Sequence, residues 1–138
     1  MLRIEWDESL SVGINLIDEQ HKMLIERTNA ISEAMEMKRG LEKILQTLEF
    51  MIEYTKFHFS AEEKIMKDND YPKFTDHHKL HEEFKARLNL MVQDFEEEGA
   101  TSGLSQEITT YLNNWLVTHI KGIDTELGQI LRDKGYKD

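Results

Sequence analysis

The chain contains no cysteine among its 138 residues, which excludes disulfides, zinc fingers, thiolate catalysis and iron–sulfur clusters. Any metal in this protein must therefore be held by nitrogen and oxygen atoms. Proline is almost absent as well, with one residue against seven glycines, while 39% of residues are hydrophobic and 32% are charged. This composition is typical of a soluble globular protein rich in helix, and the length suffices for one domain with a buried core.

Positive charge and long apolar runs are also scarce. The 27 Asp and Glu outnumber the 17 Lys and Arg, which argues against nucleic acid or an anionic membrane surface, because both bind through clustered positive charge. No window approaches the roughly 18 uninterrupted apolar residues of a membrane span. Met1 is not followed by the basic and then apolar run of a signal peptide. We therefore expect a cytoplasmic protein with neither a nucleic-acid nor a membrane partner.

Three short segments rich in helix-ending residues divide the chain into four stretches of helical periodicity. They are KRG at 38–40, DNDYP at 68–72 and EGATSG at 98–103. We predict an N-terminal arm over 1–16, four helices over about 17–38, 41–67, 74–97 and 104–121, and a C-terminal segment over 122–138. No repeat or linker interrupts the chain. The predicted fold class is therefore all-α, a single domain over 1–138 that forms an up-down-up-down antiparallel four-helix bundle with a short C-terminal helix.

Six polar side chains occupy positions where the helical pattern calls for Leu, Ile or Phe. In the second predicted helix, steps of three and four residues run from Met51 through Thr55 to a histidine and a glutamate. The six are His21, His58, Glu62, His77, His81 and His119. Because sequential helices alternate in direction, all six are expected at the same end of the bundle.

A metal removes two costs that such a cluster would otherwise carry. A buried unpaired carboxylate is expensive, and crowded imidazoles without acceptors leave ring nitrogens unsatisfied. The alternative is a hydrogen-bonded polar cluster without metal. Five imidazoles and a carboxylate exceed the needs of one tetrahedral zinc, and calcium and magnesium sites use oxygen rather than imidazole. Two transition metals bridged by carboxylate fit this set better.

Helical phase separates the three histidines of HHKLHEEF at 77–84. Residues four apart in a helix are offset by about 40 degrees, so His77 and His81 can address one point, as can His58 and Glu62. His78 lies about 100 degrees from His77 and cannot join them. The histidine cluster is therefore predicted to contain two ligands and one bystander.

A second carboxylate is needed for charge, and Asp124 is the nearest candidate after His119. Five residues place it about 140 degrees around a continuous helix, so we expect the helix to end near Gly122. The physical argument alone does not single this residue out among 27 acidic ones. Three further glutamates near the cluster lie off the helical stripes and are expected to be solvated: Glu63, Glu82 and Glu83.

Four motifs resemble those of the hemerythrins, specifically the single-domain bacteriohemerythrins. They are WDESLSVGINLIDEQH at 6–21, HFSAEE at 58–63, HHKLHEEF at 77–84 and WLVTHIKGID at 115–124. The resemblance covers nearly the whole chain and implies a non-haem diiron site with an oxo or hydroxo bridge. It assigns His77, His81 and His119 to one iron, His21 and His58 to the other, and Glu62 and Asp124 to both. The iron with fewer ligands would bind dioxygen.

The resemblance also implies an apolar dioxygen pocket formed by Leu24, Phe59, Trp115, Leu116 and Ile120. Ordinary core packing would account for these positions equally well, except at Leu116. That residue directly follows the stripe residue Trp115 and precedes His119 by three, which makes it the best candidate for a gate.

Three functions are compatible with such a site. The leading hypothesis is reversible dioxygen binding by a monomer that is not an enzyme, for storage, buffering or delivery to an oxygen-consuming enzyme. The second is oxygen or redox sensing through a separate partner protein, since the sequence contains no output domain. The third is a diiron oxidase, peroxidase or nitric oxide scavenger, which the imidazole-rich set and the absence of Glu-x-x-His pairs on the stripes disfavour.

Overall fold

Four long helices and a short fifth one account for most of the computed structural model, which describes residues 3–138. They are α1 Asn15–Glu36, α2 Leu41–Asp68, α3 Phe74–Glu98, α4 Ser102–Thr118 and α5 Thr125–Asp133. Over the described range the chain forms no strand, and the predicted all-α four-helix bundle is confirmed. The first two residues of the predicted arm, Met1 and Leu2, lie outside the described range.

The helices end where the sequence places glycine or a capping residue. Gly40 before α2 and Gly99 after α3 have φ of 95° and 76°, in the left-handed region that favours glycine. Thr101 caps α4 by accepting a hydrogen bond from the backbone N–H of Leu104 at 3.2 Å. These turns set the antiparallel order of the bundle.

One end of the bundle is filled by apolar side chains from all four long helices. Its fully buried members include Ile31 of α1, Leu48 of α2, Leu88 of α3 and Ile108 of α4. The other end receives the start of α1, the end of α2, the start of α3 and the end of α4. The buried imidazole and carboxylate side chains gather at this second end.

The N-terminal arm is fastened across α1. The side chain of Asn29 accepts from the backbone N–H of Ile4 at 2.9 Å and donates to its carbonyl oxygen at 2.8 Å. Leu10 and Val12 are buried, and Trp6 is half-buried. Apolar contacts and the buried amide of Asn29 therefore hold the arm against α1.

The expected break near Gly122 is wrong, because the chain stays helical from α4 into α5. Residues His119–Asp124 form a π-helical turn that leads directly into α5. A π turn is wider than an α turn and closes on the fifth residue rather than the fourth. The side chains of His119 and Asp124 therefore return to the same face without any break in the helix.

Helix α5 closes the polar end of the bundle. Leu127 and Leu131 are fully buried against a cluster that includes Val12 of the arm and Ile17 of α1. Gly128 allows this close approach, since a Cβ there would lie 2.1 Å from the carbonyl oxygen of Val12. Within residues 3–138, none of the helices combines the length and the apolar character needed to cross a membrane.

Candidate metal centre

All seven residues that the sequence nominates as ligands converge at the polar end of the bundle. Each is 5% exposed or less: His21, His58, Glu62, His77, His81, His119 and Asp124. They come from α1, α2, α3 and the π turn. The fold thus gathers into one buried volume residues that are widely separated in sequence.

The seven side chains form two groups that share both carboxylates. One group contains His77, His81 and His119, the other contains His21 and His58, and each also includes Glu62 and Asp124. Within each group the ligand atoms lie within 4.8 Å of one another. The division into three and two histidines is the one that the resemblance implies.

Each carboxylate directs one oxygen to each group of histidines. Glu62 Oε1 lies 2.9 Å from His77 Nε2, whereas Glu62 Oε2 lies 3.2 Å from His58 Nε2. Asp124 behaves in the same way, with Oδ1 at 3.1 Å from His77 Nε2 and Oδ2 at 2.9 Å from His21 Nε2. This is the arrangement of a pair of carboxylates that bridges two ions.

The donor atoms are buried without a hydrogen-bond partner, although the distances between them are short. This holds for all four oxygens of Glu62 and Asp124 and for the Nε2 atoms of His21, His77, His81 and His119. Buried polar atoms without partners are costly and rare in native proteins. Imidazole nitrogen together with carboxylate oxygen is a donor set for transition metals, so the site fits two such ions.

Two histidines are held in the tautomer that metal binding requires. His58 Nδ1 donates to Gln20 Oε1 at 2.7 Å, and His81 Nδ1 donates to Glu63 Oε2 at 2.7 Å. With the proton on Nδ1, the lone pair of Nε2 faces the centre. A polar group that accepts from the second ring nitrogen is the usual support of a metal-bound histidine.

The prediction that Glu63 is solvated is wrong, since its side chain is only 15% exposed. Its partner His81 lies on the neighbouring helix, and the intrahelical pattern carries no sign of that contact. The general need of each ligand histidine for an acceptor predicts that such a residue exists. It does not predict whether Glu63 or Gln20 fills the role.

The bystander His78 lies outside both donor groups. Its side chain is 42% exposed, and its ring stacks on Phe74 with centroids 5.5 Å apart. Its Nδ1 donates to Glu63 Oε1 at 2.9 Å. His78 thus contacts the residue that supports His81 without facing the centre itself.

Burial and neighbouring charges shift the pKa values of the clustered side chains in opposite directions. Burial and the neighbouring carboxylate raise the pKa of Glu62, but His58 and His77 hold it well below its usual value. Burial also raises the pKa of Asp124, and contact with His119, His21 and His77 outweighs that effect. Burial lowers the pKa of His77, but the two carboxylates raise it to about 9. Without metal, the site therefore holds two carboxylates stabilised by imidazole.

Aromatic rings fix the planes of two ligand histidines. Phe59 stacks on His81 with centroids 3.7 Å apart and an interplanar angle of 4°. Trp115 stacks on His119 at 4.4 Å and 11°. These contacts restrict rotation of both imidazoles around their final side-chain bond.

A cavity of about 10 Å³ lies in the bundle interior, and its lining includes Phe59 and Trp115, the two rings that stack on ligand histidines. It is lined by Leu24, Thr28, Met51, Thr55, Phe59, Phe84, Leu112, Trp115 and Leu116. A volume of roughly 10–15 Å³ on this measure is about what one water-sized molecule needs. Four of the five residues predicted for a pocket line it. The fifth, Ile120, packs instead in a neighbouring cluster with Leu24 and Leu116.

Comparison with known proteins agrees with this geometry. Residues 12–131 match the family model described as the hemerythrin HHE cation binding domain. The chain is 33% identical over 125 residues to a bacteriohemerythrin of Stenotrophomonas maltophilia (strain R551-3), which covers 90% of this chain and 78% of that protein. It is 34% identical over 119 residues to a myohemerythrin of Sipunculus nudus, with 86% of each chain covered.

Solved structures with a similar fold are also hemerythrins. A crystal structure of wild-type hemerythrin superposes with a TM-score of 0.84 at 24% sequence identity, covering 93% of this chain and 97% of that chain. The resemblance carried by the four sequence motifs is confirmed. On the evidence of its family match and its relatives, this chain belongs to the hemerythrin family.

Proposed function

We propose that this protein binds dioxygen reversibly at a non-haem diiron centre and is not an enzyme. The observation that carries the proposal is the unequal division of histidines between two groups that share Glu62 and Asp124. An ion at His21 and His58 has one histidine fewer than an ion at the other position. Iron bound there would supply reversible electron transfer to dioxygen at that open position.

The donor set favours reversibility over cleavage of the O–O bond. Five neutral imidazoles and two carboxylates offset little of the charge of two metal ions. A carboxylate-rich set would better stabilise the higher oxidation states that bond cleavage requires. Hydrogen bonds to the ligands and solvent access also tune the metals, and here both imidazole supports, Gln20 and Glu63, are largely buried.

The cavity supports the proposal through the groups that line it. Its two threonines have hydroxyls that are already engaged, since Thr55 donates to the carbonyl oxygen of Met51 at 2.8 Å and Thr28 lies 3.8 Å from the Met51 sulfur. The remaining lining is apolar and largely closed. A dry cavity of this kind limits the water and protons that would convert bound dioxygen to products.

A cycle of oxygenation tests the proposal. The iron-loaded protein is reduced without oxygen, exposed to oxygen and then purged, while the visible charge-transfer band of the oxygenated form is followed. A band that appears and disappears over repeated cycles is expected. Immediate, irreversible conversion to a ferric form would contradict reversible binding and favour an oxidase or a sensor.

Matched histidine variants test the ligand assignment. His77→Ala removes a donor that contacts both carboxylates and should lose iron, whereas His78→Ala lies outside both groups and should retain two ions per chain. The measurement is iron content after desalting. Equal iron content in the two variants would refute the assignment.

The cellular role is the finer part of the proposal. We propose that dioxygen is stored, buffered or delivered to an oxygen-consuming enzyme. The cytoplasmic location and the monomeric state stay predictions from the sequence.

A further inference from the structure

Glu63 links a surface histidine to a histidine of the metal centre. Its two oxygens accept hydrogen bonds from different imidazoles, Oε1 from His78 Nδ1 at 2.9 Å and Oε2 from His81 Nδ1 at 2.7 Å. Exposure falls along this chain of contacts from 42% at His78 to 15% at Glu63 and 0% at His81. Because a carboxylate only accepts, both histidines carry their proton on Nδ1.

The contact with Glu63 determines how His81 presents itself to the centre. With Nδ1 as donor, Nε2 is left as the ligand atom and lies 3.3 Å from Glu62 Oε1. Phe59 restrains the plane of the ring, while Glu63 restrains its tautomer and its rotation within that plane. The orientation of Glu63 therefore determines the geometry of one ligand.

His78 in turn restrains Glu63. The carboxylate extends from α2, while His78 and His81 both lie on α3. Glu63 thus spans the two helices with one oxygen on each imidazole. If the His78 donor were removed, one oxygen would lose its partner and the carboxylate could rotate away from His81.

The second donor group has a different support. His58 donates to the neutral amide oxygen of Gln20 rather than to a carboxylate. Across residues 3–138, no other histidine of the two groups donates Nδ1–H to a carboxylate. The Glu63 contact therefore distinguishes the three-histidine position from the two-histidine position.

We propose that His78 and Glu63 form a positioning pair for the three-histidine metal position, with His78 orienting Glu63 and Glu63 orienting His81. The inference rests on the proposed diiron function for its metal but not on dioxygen chemistry. Neither residue belongs to either donor group. Their effect is on how tightly one of the two ions is retained.

Release of iron to a ferrous chelator tests the pair. The anaerobic ferrous protein should release its ions in two phases, because the two positions have different donor sets. His78→Ala should start with two ions per chain and accelerate one phase by about 10- to 100-fold, the usual loss when the support of a ligand histidine is removed. Glu63→Gln should accelerate the same phase, since the amide replaces one of the two accepting oxygens by an NH2 group, which cannot accept from the second imidazole N–H.

Two control variants separate positioning from general disruption. His78→Asn keeps an N–H donor near the place of the imidazole Nδ1 and should restore slow release. Glu82→Gln changes a half-exposed glutamate that lies 3.8 Å from His78 Nε2, and it should release iron like the wild type. The unfolding temperature of each metal-free variant gives the structural baseline.

A readout without iron completes the test. In the zinc-loaded protein, nitrogen NMR of His81 should show the proton on Nδ1, and its exchange with solvent should be faster in His78→Ala.

Release at wild-type rates in both phases, or equal acceleration of both, would overturn the pair. A wild-type chain that fails to hold two ions would overturn the pair and the proposed function together. A chain that holds two ions but oxidises irreversibly would overturn the function alone.

Discussion

Leu116 lines the interior cavity on the same helix that leads into the ligand His119. It is 5% exposed, lines the cavity, and packs with Leu24 and Ile120 in the cluster beside the N-terminal arm. Its position three residues before His119 puts it one helical turn from a ligand. We therefore keep the prediction that Leu116 acts as a gate for small molecules that enter the centre.

The variant Leu116→Ala should autoxidise several-fold faster than the wild type, because the space it leaves admits water and protons to the centre. The rate is measured as loss of the visible band of the oxygenated protein over time. Leu104→Ala is the matched control, since it makes the same truncation in α4 at the other end of the bundle. Both variants should lose about 2–5 kcal/mol of stability. Equal autoxidation rates in the two variants would remove Leu116 as a gate.

The sequence predicts which histidines are ligands, but not which residues support them. Helical phase alone separates His77 and His81 from His78, because the angle between residues of one helix is known in advance. Helical phase does not predict the supports Gln20 and Glu63, because each contacts a histidine on a different helix. Such contacts depend on the rotation of one helix against another, which the pattern within each helix does not specify.

Helix α5 packs against the N-terminal arm and directly follows the π turn that carries a ligand of the centre. Gly128 of α5 sits directly on the backbone of Val12. Asp124 ends the π turn just before α5 and supplies oxygen to both donor groups. The position of this carboxylate therefore depends on how α5 packs.

The variant Gly128→Ala should lower stability by about 1–3 kcal/mol, because the new methyl group cannot fit against Val12. It should also lower iron content through displacement of Asp124. Gly103→Ala in α4 is the control, since a Cβ there meets nothing within 4 Å and alanine favours the helix. Thermal unfolding and iron content are measured for both. A Gly128→Ala protein with wild-type values would show that the contact does not constrain the centre.

The π turn is the element that sequence reasoning described incorrectly. The spacing of His119 and Asp124 correctly excludes a shared face on a regular α-helix. Either a break in the helix or a wider helical turn would bring the two side chains to the same face, and Gly122 favoured the break. The structure adopts the wider turn, and Gly122 is exposed within it. None of the residue types in HIKGID distinguishes the two solutions, since the choice depends on the packing of α5.

At the scale of the whole molecule, the bundle divides its interior between an apolar end and a charged end. The apolar end is stabilised by burial of apolar side chains from all four long helices. The charged end contains buried carboxylates and imidazoles whose donor atoms lack partners in the protein. We therefore expect the stability of this end to depend on metal, and on protons when metal is absent.

Metal-free protein should become less stable as the pH rises from 6.5 to 9. His77 has a pKa of about 9 in the folded chain and 6.5 as its ordinary value, so the folded state binds the proton more tightly. This stabilisation, on the order of 3 kcal/mol, is present below pH 6.5 and is lost as the pH rises through 9. Urea unfolding at several pH values measures it. Iron-loaded protein should not show the loss, because the metal replaces the proton. Constant or rising stability of the metal-free protein over this range would contradict the prediction.

The shared carboxylates have a consequence for biosynthesis. Asp124 belongs to both donor groups, and its contacts reach back to His21 near the beginning of α1. A chain emerging from the ribosome has neither group complete until residue 124 has been added. We therefore expect both metal positions to be complete only after all four long helices and the π turn have been synthesised. A fragment that ends before Asp124 would be left without either complete metal position.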